Sequence, residues 1–191
     1  MLNVLHHHLF NSLWLAWGLY WAYAAFGVKR AVRKESWASW WSHMGPLLVS
    51  GYLLGADRLP GGFLCGQAWP STEGTFWVGA ALLAGGLLFS VWARSTLGGN
   101  WSGTVTVKQS HELIRSGPYR FVRHPIYTGL LLAFLGSALS RAEWRGVLAI
   151  VIVFIALWRK LKLEERWMGE TFGDQYDTYK QEVRALVPWL L

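Results

Sequence analysis

The stretch PIYTGLLLAFLGSALSRAEWRGVLAIVIVFIALW, residues 125–158, decides how this chain is read. It contains two uncharged apolar runs, 125–140 and 146–158, separated only by residues 141–145. A helix needs about 20 apolar residues to cross the hydrocarbon core of a bilayer. The second run is as short as a buried core helix of a soluble protein. Arg145 and Arg159 stand at its ends, however, and can snorkel so that it spans. So short a connection predicts an antiparallel helical hairpin.

Outward from this hairpin, three more apolar runs precede it. Residues 9–28 and 74–93 carry no charge, and 37–56 carry only the titratable His43. Five transmembrane helices are therefore predicted, within a single membrane domain over 1–191. Three spans occupy 1–93, and the polar chemistry lies in 94–191. Composition agrees, with 53% hydrophobic and 15% charged residues, against about 25% charged in soluble domains. The net charge of +7 is spread beside the apolar runs rather than gathered in a basic domain, so no nucleic-acid partner is expected.

With five spans, one side of the membrane holds 15 of the 18 Lys and Arg residues. The positive-inside rule then places the N-terminus outside and the C-terminus in the cytoplasm. No cleavable signal sequence is expected, because the first run lacks a basic n-region and a small-residue cleavage pattern. The compact length favours a prokaryotic plasma membrane over an endoplasmic reticulum. The 14 Trp residues fall mostly near predicted span ends and read as interfacial anchors. Gly129, Ala133 and Ser137 lie four apart, the small-residue pattern of close helix packing in lipid. Phe172, Tyr176, Tyr179 and Val183 predict a C-terminal amphipathic helix on a partner or on the membrane surface.

Ionisable groups concentrate in the 94–124 loop and the C-terminal tail. Pro125 suits the first turn of a helix, where its missing N–H costs little. His124 then sits at a helix N-terminus with Tyr127 one turn inside. Arg120 and Arg123 either serve this platform or bind lipid phosphates. Lys160 and Glu164 are four apart. They form a surface ion pair, or Glu164 and Glu165 together hold a cationic group such as an ammonium or sulfonium. The glycine-rich LGGNWSG, 97–103, lacks the strand context of a phosphate loop. His6, His7 and His8 are consecutive rather than at ligand spacing, so no metal is expected. Cys65 is alone and forms no internal disulfide.

LGGNWSGTVTVKQSHELIRSGPYRFVRHPIYTG (97–129) followed by EERWMGETFGDQYDTYK (164–180) resembles the isoprenylcysteine carboxyl methyltransferase family. That superfamily of integral-membrane methyltransferases includes phospholipid N-methyltransferases. The resemblance implies an all-α bundle of five transmembrane helices, with a cytoplasmic loop and C-terminal helix forming a cofactor pocket. The cofactor it implies is S-adenosylmethionine, and the partners are membrane lipids and a lipophilic or lipidated acceptor. By motif, Lys108, His111, Glu112, Leu113 and Ile114 line the pocket, and Tyr119, His124, Pro125, Ile126 and Tyr127 complete its nucleoside side. Glu164 holds the ammonium of the methionine moiety. Lys160, Arg159 and Glu165 are the residues expected to act on the acceptor.

One position departs from the family pattern. Members acting on a prenylcysteine carboxylate place Arg where this chain has Lys160, and Lys lacks the bidentate fork. Two other classes stay open: a nicotinamide-dependent oxidoreductase like the membrane sterol reductases, and a non-catalytic membrane scaffold.

Overall fold

The computed structural model describes residues 2–29, 31–56, 59, 62–108 and 112–188, with backbone alone at 2–7, 32, 107 and 108. The expectations placed on His6, His7, His111 and the side chain of Lys108 lie outside the described residues. Five helices fall where apolar runs were expected: α1 (Leu2–Ala24), α2 (Trp37–Gly55), α3 (Glu73–Leu97), α4 (Pro125–Arg141) and α5 (Trp144–Phe172). A short α6 (Asp174–Glu182) follows.

The chain is mostly helical but not wholly so. β1 (Ala31–Lys34) and β2 (Thr106–Lys108) pair as an antiparallel ribbon. Strands this short show no alternation that a sequence reading can detect. Among the described residues, one helical stretch, Glu73–Asn100, is long and apolar enough to cross a membrane by length and hydropathy alone. α1 and α2 are rich in Trp, Tyr, Gly and Ser, α4 has 17 residues, and α5 turns charged after Trp158.

α3 and α4 pack antiparallel with their backbones in contact. A Cβ placed on Gly79 would lie 2.6 Å from Gly136 O, and one on Gly129 would lie 2.5 Å from Gly86 O. Two pairs of glycines thus form the seam, with Ala133 fully buried between them. Of the expected small residues, Gly129 and Ala133 face α3. Ser137 instead accepts a hydrogen bond from Trp14 Nε1 at 3.1 Å.

The hairpin α4–α5 turns at Ala142, in the left-handed conformation with φ 57°. Arg145 does not snorkel. It is 2% exposed, and it donates to Ala56 O at 2.7 Å while Arg141 donates to Leu54 O and Ala56 O at 2.6 and 2.8 Å. The two guanidiniums satisfy orphan carbonyls at the C-terminus of α2. At the other end, buried Arg94 donates to Ala24 O and Gly98 O, closing α1 and α3.

α5 runs for 29 residues, about 44 Å, and carries its charged half beyond the apolar run. The expected amphipathic helix is interrupted at Gly173, whose φ of 50° ends α5. Phe172 and Val183 therefore fall outside α6, while Tyr176 and Tyr179 are buried against the protein itself.

Gly86→Ala should destabilise the fold by about 1–3 kcal/mol, because its Cβ meets backbone atoms that no rotamer change can move. Gly85, with open space around its Cβ, is the matched control. Thermal melts in detergent should show Gly86→Ala well below the parent and Gly85→Ala level with it or higher.

Candidate functional site

Residues 122–124 lead into α4 and pair with the chain beyond α6. Arg123 N donates to Arg184 O at 2.8 Å and His124 N to Ala185 O at 3.0 Å. Thr128 Oγ1 donates to Leu186 O at 2.7 Å, and the Tyr179 hydroxyl donates to Tyr119 O at 2.5 Å. The entry to α4 is thereby bound to the C-terminal segment, which α5 and α6 deliver to the same place.

His124 precedes Pro125, and its side chain caps no helix N–H, so the imidazole is free to turn toward α5. There it meets two carboxylates. Nδ1 lies 3.6 Å from Glu164 Oε2, and Nε2 lies 3.4 Å from Glu165 Oε1. Adjacent positions on a helix point about 100° apart, so the two glutamates reach different further partners. The Tyr127 hydroxyl donates to Glu164 Oε1 at 2.5 Å. Arg123 donates to Glu165 Oε1 through Nε at 3.0 Å and Nη2 at 2.5 Å.

These contacts set the charges. Burial pushes the Glu164 carboxyl up, but His124, Lys160 and Tyr127 outweigh it and hold it below the usual range. Burial also opposes ionisation of Glu165, yet His124 and Arg123 bring it down to about 2. Burial pushes the His124 imidazole down, and the paired carboxylates reverse this to leave it raised. The two carboxylates thus favour the imidazolium form of His124 between them.

A cavity of about 550 Å³ opens beside this cluster. Of the residues expected at the site, Glu112, Leu113, Ile114, Tyr119, His124, Ile126, Tyr127, Lys160 and Glu164 line it. Glu112 stands at the rim, with its side chain 68% exposed and 3.7 Å from Lys29 Nζ. Lys160 Nζ donates to Gly103 O at 3.4 Å and sits 5.5 Å from the Tyr127 ring centre. Pro125 is buried behind the wall, Glu165 is turned to Arg123, and Arg159 is exposed on α5; these three do not line the cavity.

The sequence reading missed the opposite wall. Trp14, Trp17 and Trp21 of α1, Trp40 of α2, and Trp101 line the cavity, a place the sequence reading did not give them. The indole N–H of Trp17 donates to Ser90 Oγ at 2.8 Å. Like Trp14, it therefore spends its polar edge within the bundle. The signal was present, since positions 14, 17 and 21 share one helix face. Other tryptophans, including Trp37, Trp77 and Trp144, are exposed.

The cavity thus has the charged groups of α5 and of the entry to α4 along one part of its lining and tryptophans of α1, α2 and the loop after α3 along another. The chain belongs to the phospholipid methyltransferase family, whose model matches residues 75–175, just over half of its length. It is 41% identical over 71 residues to methanethiol S-methyltransferase 1 of Bradyrhizobium diazoefficiens, covering 37% of this chain and 24% of that protein. It is 30% identical to the protein-S-isoprenylcysteine O-methyltransferase of Saccharomyces cerevisiae, over 51% of this chain and 42% of that one. A probable protein-S-isoprenylcysteine O-methyltransferase of Oryza sativa subsp. indica is 28% identical, over 60% and 61%. The chain thus spans less than two thirds of the length of these curated relatives. Its fold is like that of a eukaryotic intramembrane Ras methyltransferase, isoprenylcysteine carboxyl methyltransferase. The TM-score is 0.58 with 19% identity, over 80% of this chain and 52% of that one.

The charge cluster predicts a two-sided pH dependence of stability. Glu165 has a folded value of about 2 against an ordinary 4.5. Its contribution is present above pH 4.5 and is lost as pH falls toward 2. His124 is raised above 6.5, so its contribution is complete below 6.5 and is lost as pH rises through the folded value. Thermal melts from pH 6 to 9 should show the parent losing stability. His124→Gln should lose less over the same range, and an equal decline in both would count against the ionic cluster.

Proposed function

We propose that this chain is an integral-membrane methyltransferase that uses S-adenosylmethionine to methylate a lipophilic acceptor. The observation that carries the reading is Glu164. It is an ionised carboxylate on the cavity wall, held by Tyr127 and 3.6 Å from His124, in a chain of this family.

Exposed apolar side chains support five membrane spans, α1 to α5. Leu19 on α1, Tyr52 on α2, Leu88 on α3 and Ile155 on α5 are each 60% exposed or more, and Leu135 on α4 is 44% exposed. Water would penalise surfaces of this kind, and lipid would not. The charge bias supports an N-terminus outside and the cluster at the cytoplasmic face. The aromatic wall suits an apolar acceptor. The names of the relatives also favour methyl transfer over the nicotinamide-dependent alternative.

The residues fit the cofactor. Its ammonium requires an anion facing the cavity, and Glu164 supplies one. Leu113 and Ile114 would hold it through their backbone, and His124, Ile126, Tyr119 and Tyr127 would flank the nucleoside, with Pro125 fixing the backbone behind them. When bound, S-adenosylmethionine supplies an activated methyl group as a sulfonium.

The chain's own groups bind and orient. The paired carboxylates favour the protonated form of His124, which makes it a poor proton acceptor. Glu165, held near 2, is too weak a base for an ammonium and serves to fix Arg123 and His124. A carboxylate or thiolate acceptor needs no base, whereas an amine does. Lys160 faces the cavity with a positive charge and receives the acceptor's reacting end, while exposed Arg159 lies outside the cavity.

Calorimetry on detergent-purified protein should give a micromolar Kd for S-adenosylhomocysteine. Glu164→Gln should weaken it about ten- to a hundredfold, the loss of a charged hydrogen bond. Unchanged affinity would remove Glu164 from the site. Lys160→Ala should reduce label transfer from radiolabelled methyl donor to membrane acceptors more than it reduces cofactor affinity. Equal losses would argue against an acceptor role.

A further inference from the structure

Residues 100–106 form one side of the cavity, and two buried polar atoms on this loop have no hydrogen-bond partner among the described residues. They are Asn100 Oδ1 and Thr106 Oγ1. Thr106 is 7% exposed. A buried hydroxyl left unpaired costs free energy, and native structures keep few of them unless something else pairs with the group.

The loop is held in place. Glu35 lies between β1 and α2, and its side chain is 1% exposed. Glu35 N donates to Val105 O at 3.0 Å, and Val105 N donates back to Glu35 Oε1 at 2.9 Å. The other carboxylate oxygen accepts from Ser39 Oγ at 2.7 Å, and His43 Nε2 lies 3.5 Å from Oε1. This reciprocal pair locks the backbone one residue before Thr106. Further along the same loop, Gly103 O receives Lys160. A carboxylate in the N-terminal half, outside residues 75–175, thus fixes a wall of the site.

We propose that residues 100–106 are a ligand-binding wall, in which Thr106 and Asn100 hydrogen-bond the bound nucleoside cofactor and Glu35 positions them. A threonine hydroxyl and an amide oxygen match ribose hydroxyls, which both donate and accept. The inference rests on the methyltransferase reading and adds to it a binding segment and a positioning residue.

The test is the Kd of S-adenosylhomocysteine, measured by calorimetry on the full chain in detergent, with thermal melts to check folding. Thr106→Val is nearly isosteric and should weaken binding about five- to tenfold, and Thr106→Ser should restore it. Glu35→Ala should weaken binding, and Glu35→Gln, which keeps an acceptor for Val105 N–H, should weaken it less. In the Thr106→Val background, Glu35→Ala should cost less than it does alone, because both act on one contact. Full additivity of the two losses would overturn the positioning role. Parent-like affinity of Thr106→Val would overturn the binding wall. If the parent itself does not bind, the methyltransferase reading falls along with this one.

Discussion

The guanidinium of Arg123 holds together three stretches that are distant in sequence. Nε and Nη2 grip Glu165 on α5, and Nη1 reaches the carbonyls of Lys180 and Val183 at the end of α6. Its own backbone N–H pairs with Arg184. The ion pair is largely buried, at 10% and 13% side-chain exposure. Such a pair adds little net stability, because desolvation offsets the attraction. What it provides is position: the rigid fork of Arg satisfies a carboxylate and main-chain oxygens at once. With Arg123 fixed, His124 has only one place to go, between Glu164 and Glu165.

The α3–α4 seam supplies the second constraint. Glycine against glycine lets the two helices approach until backbone touches backbone, which larger residues would forbid. That closeness brings Ser90 and Ser137 within reach of the indoles of Trp17 and Trp14. The tryptophans satisfy their N–H groups inside the bundle while their side chains line the cavity. The aromatic wall therefore depends on helix packing as well as on α1's own sequence.

Much of the site was legible because it is local. Pro125 marks a helix start, His124 and Tyr127 follow from it, and Lys160 and Glu164 share a face by simple spacing. The places where the reading went astray are those that long-range contacts decide. Arg145 was expected to snorkel and instead caps α2, since the turn after α4 brings it beside Ala56 O. The tail was expected to be one amphipathic helix, but Gly173 divides it. Trp14, Trp17 and Trp21 were read only as bilayer anchors, and their place on the cavity wall went unseen.

The sequence by itself determined the helices, the hairpin, the helix start at Pro125 that carries His124, and the shared face of Lys160 and Glu164. Those features depend on residues within a turn or two of one another, where spacing is enough. Only the tertiary structure decided that both halves of the chain share one cavity. It also decided that Glu35 reaches Val105, 70 residues away, and that His124 and Arg123 meet the two carboxylates. No periodicity encodes which distant groups meet. Backbone pairing and close packing settle that, once burial makes every unpaired polar atom costly.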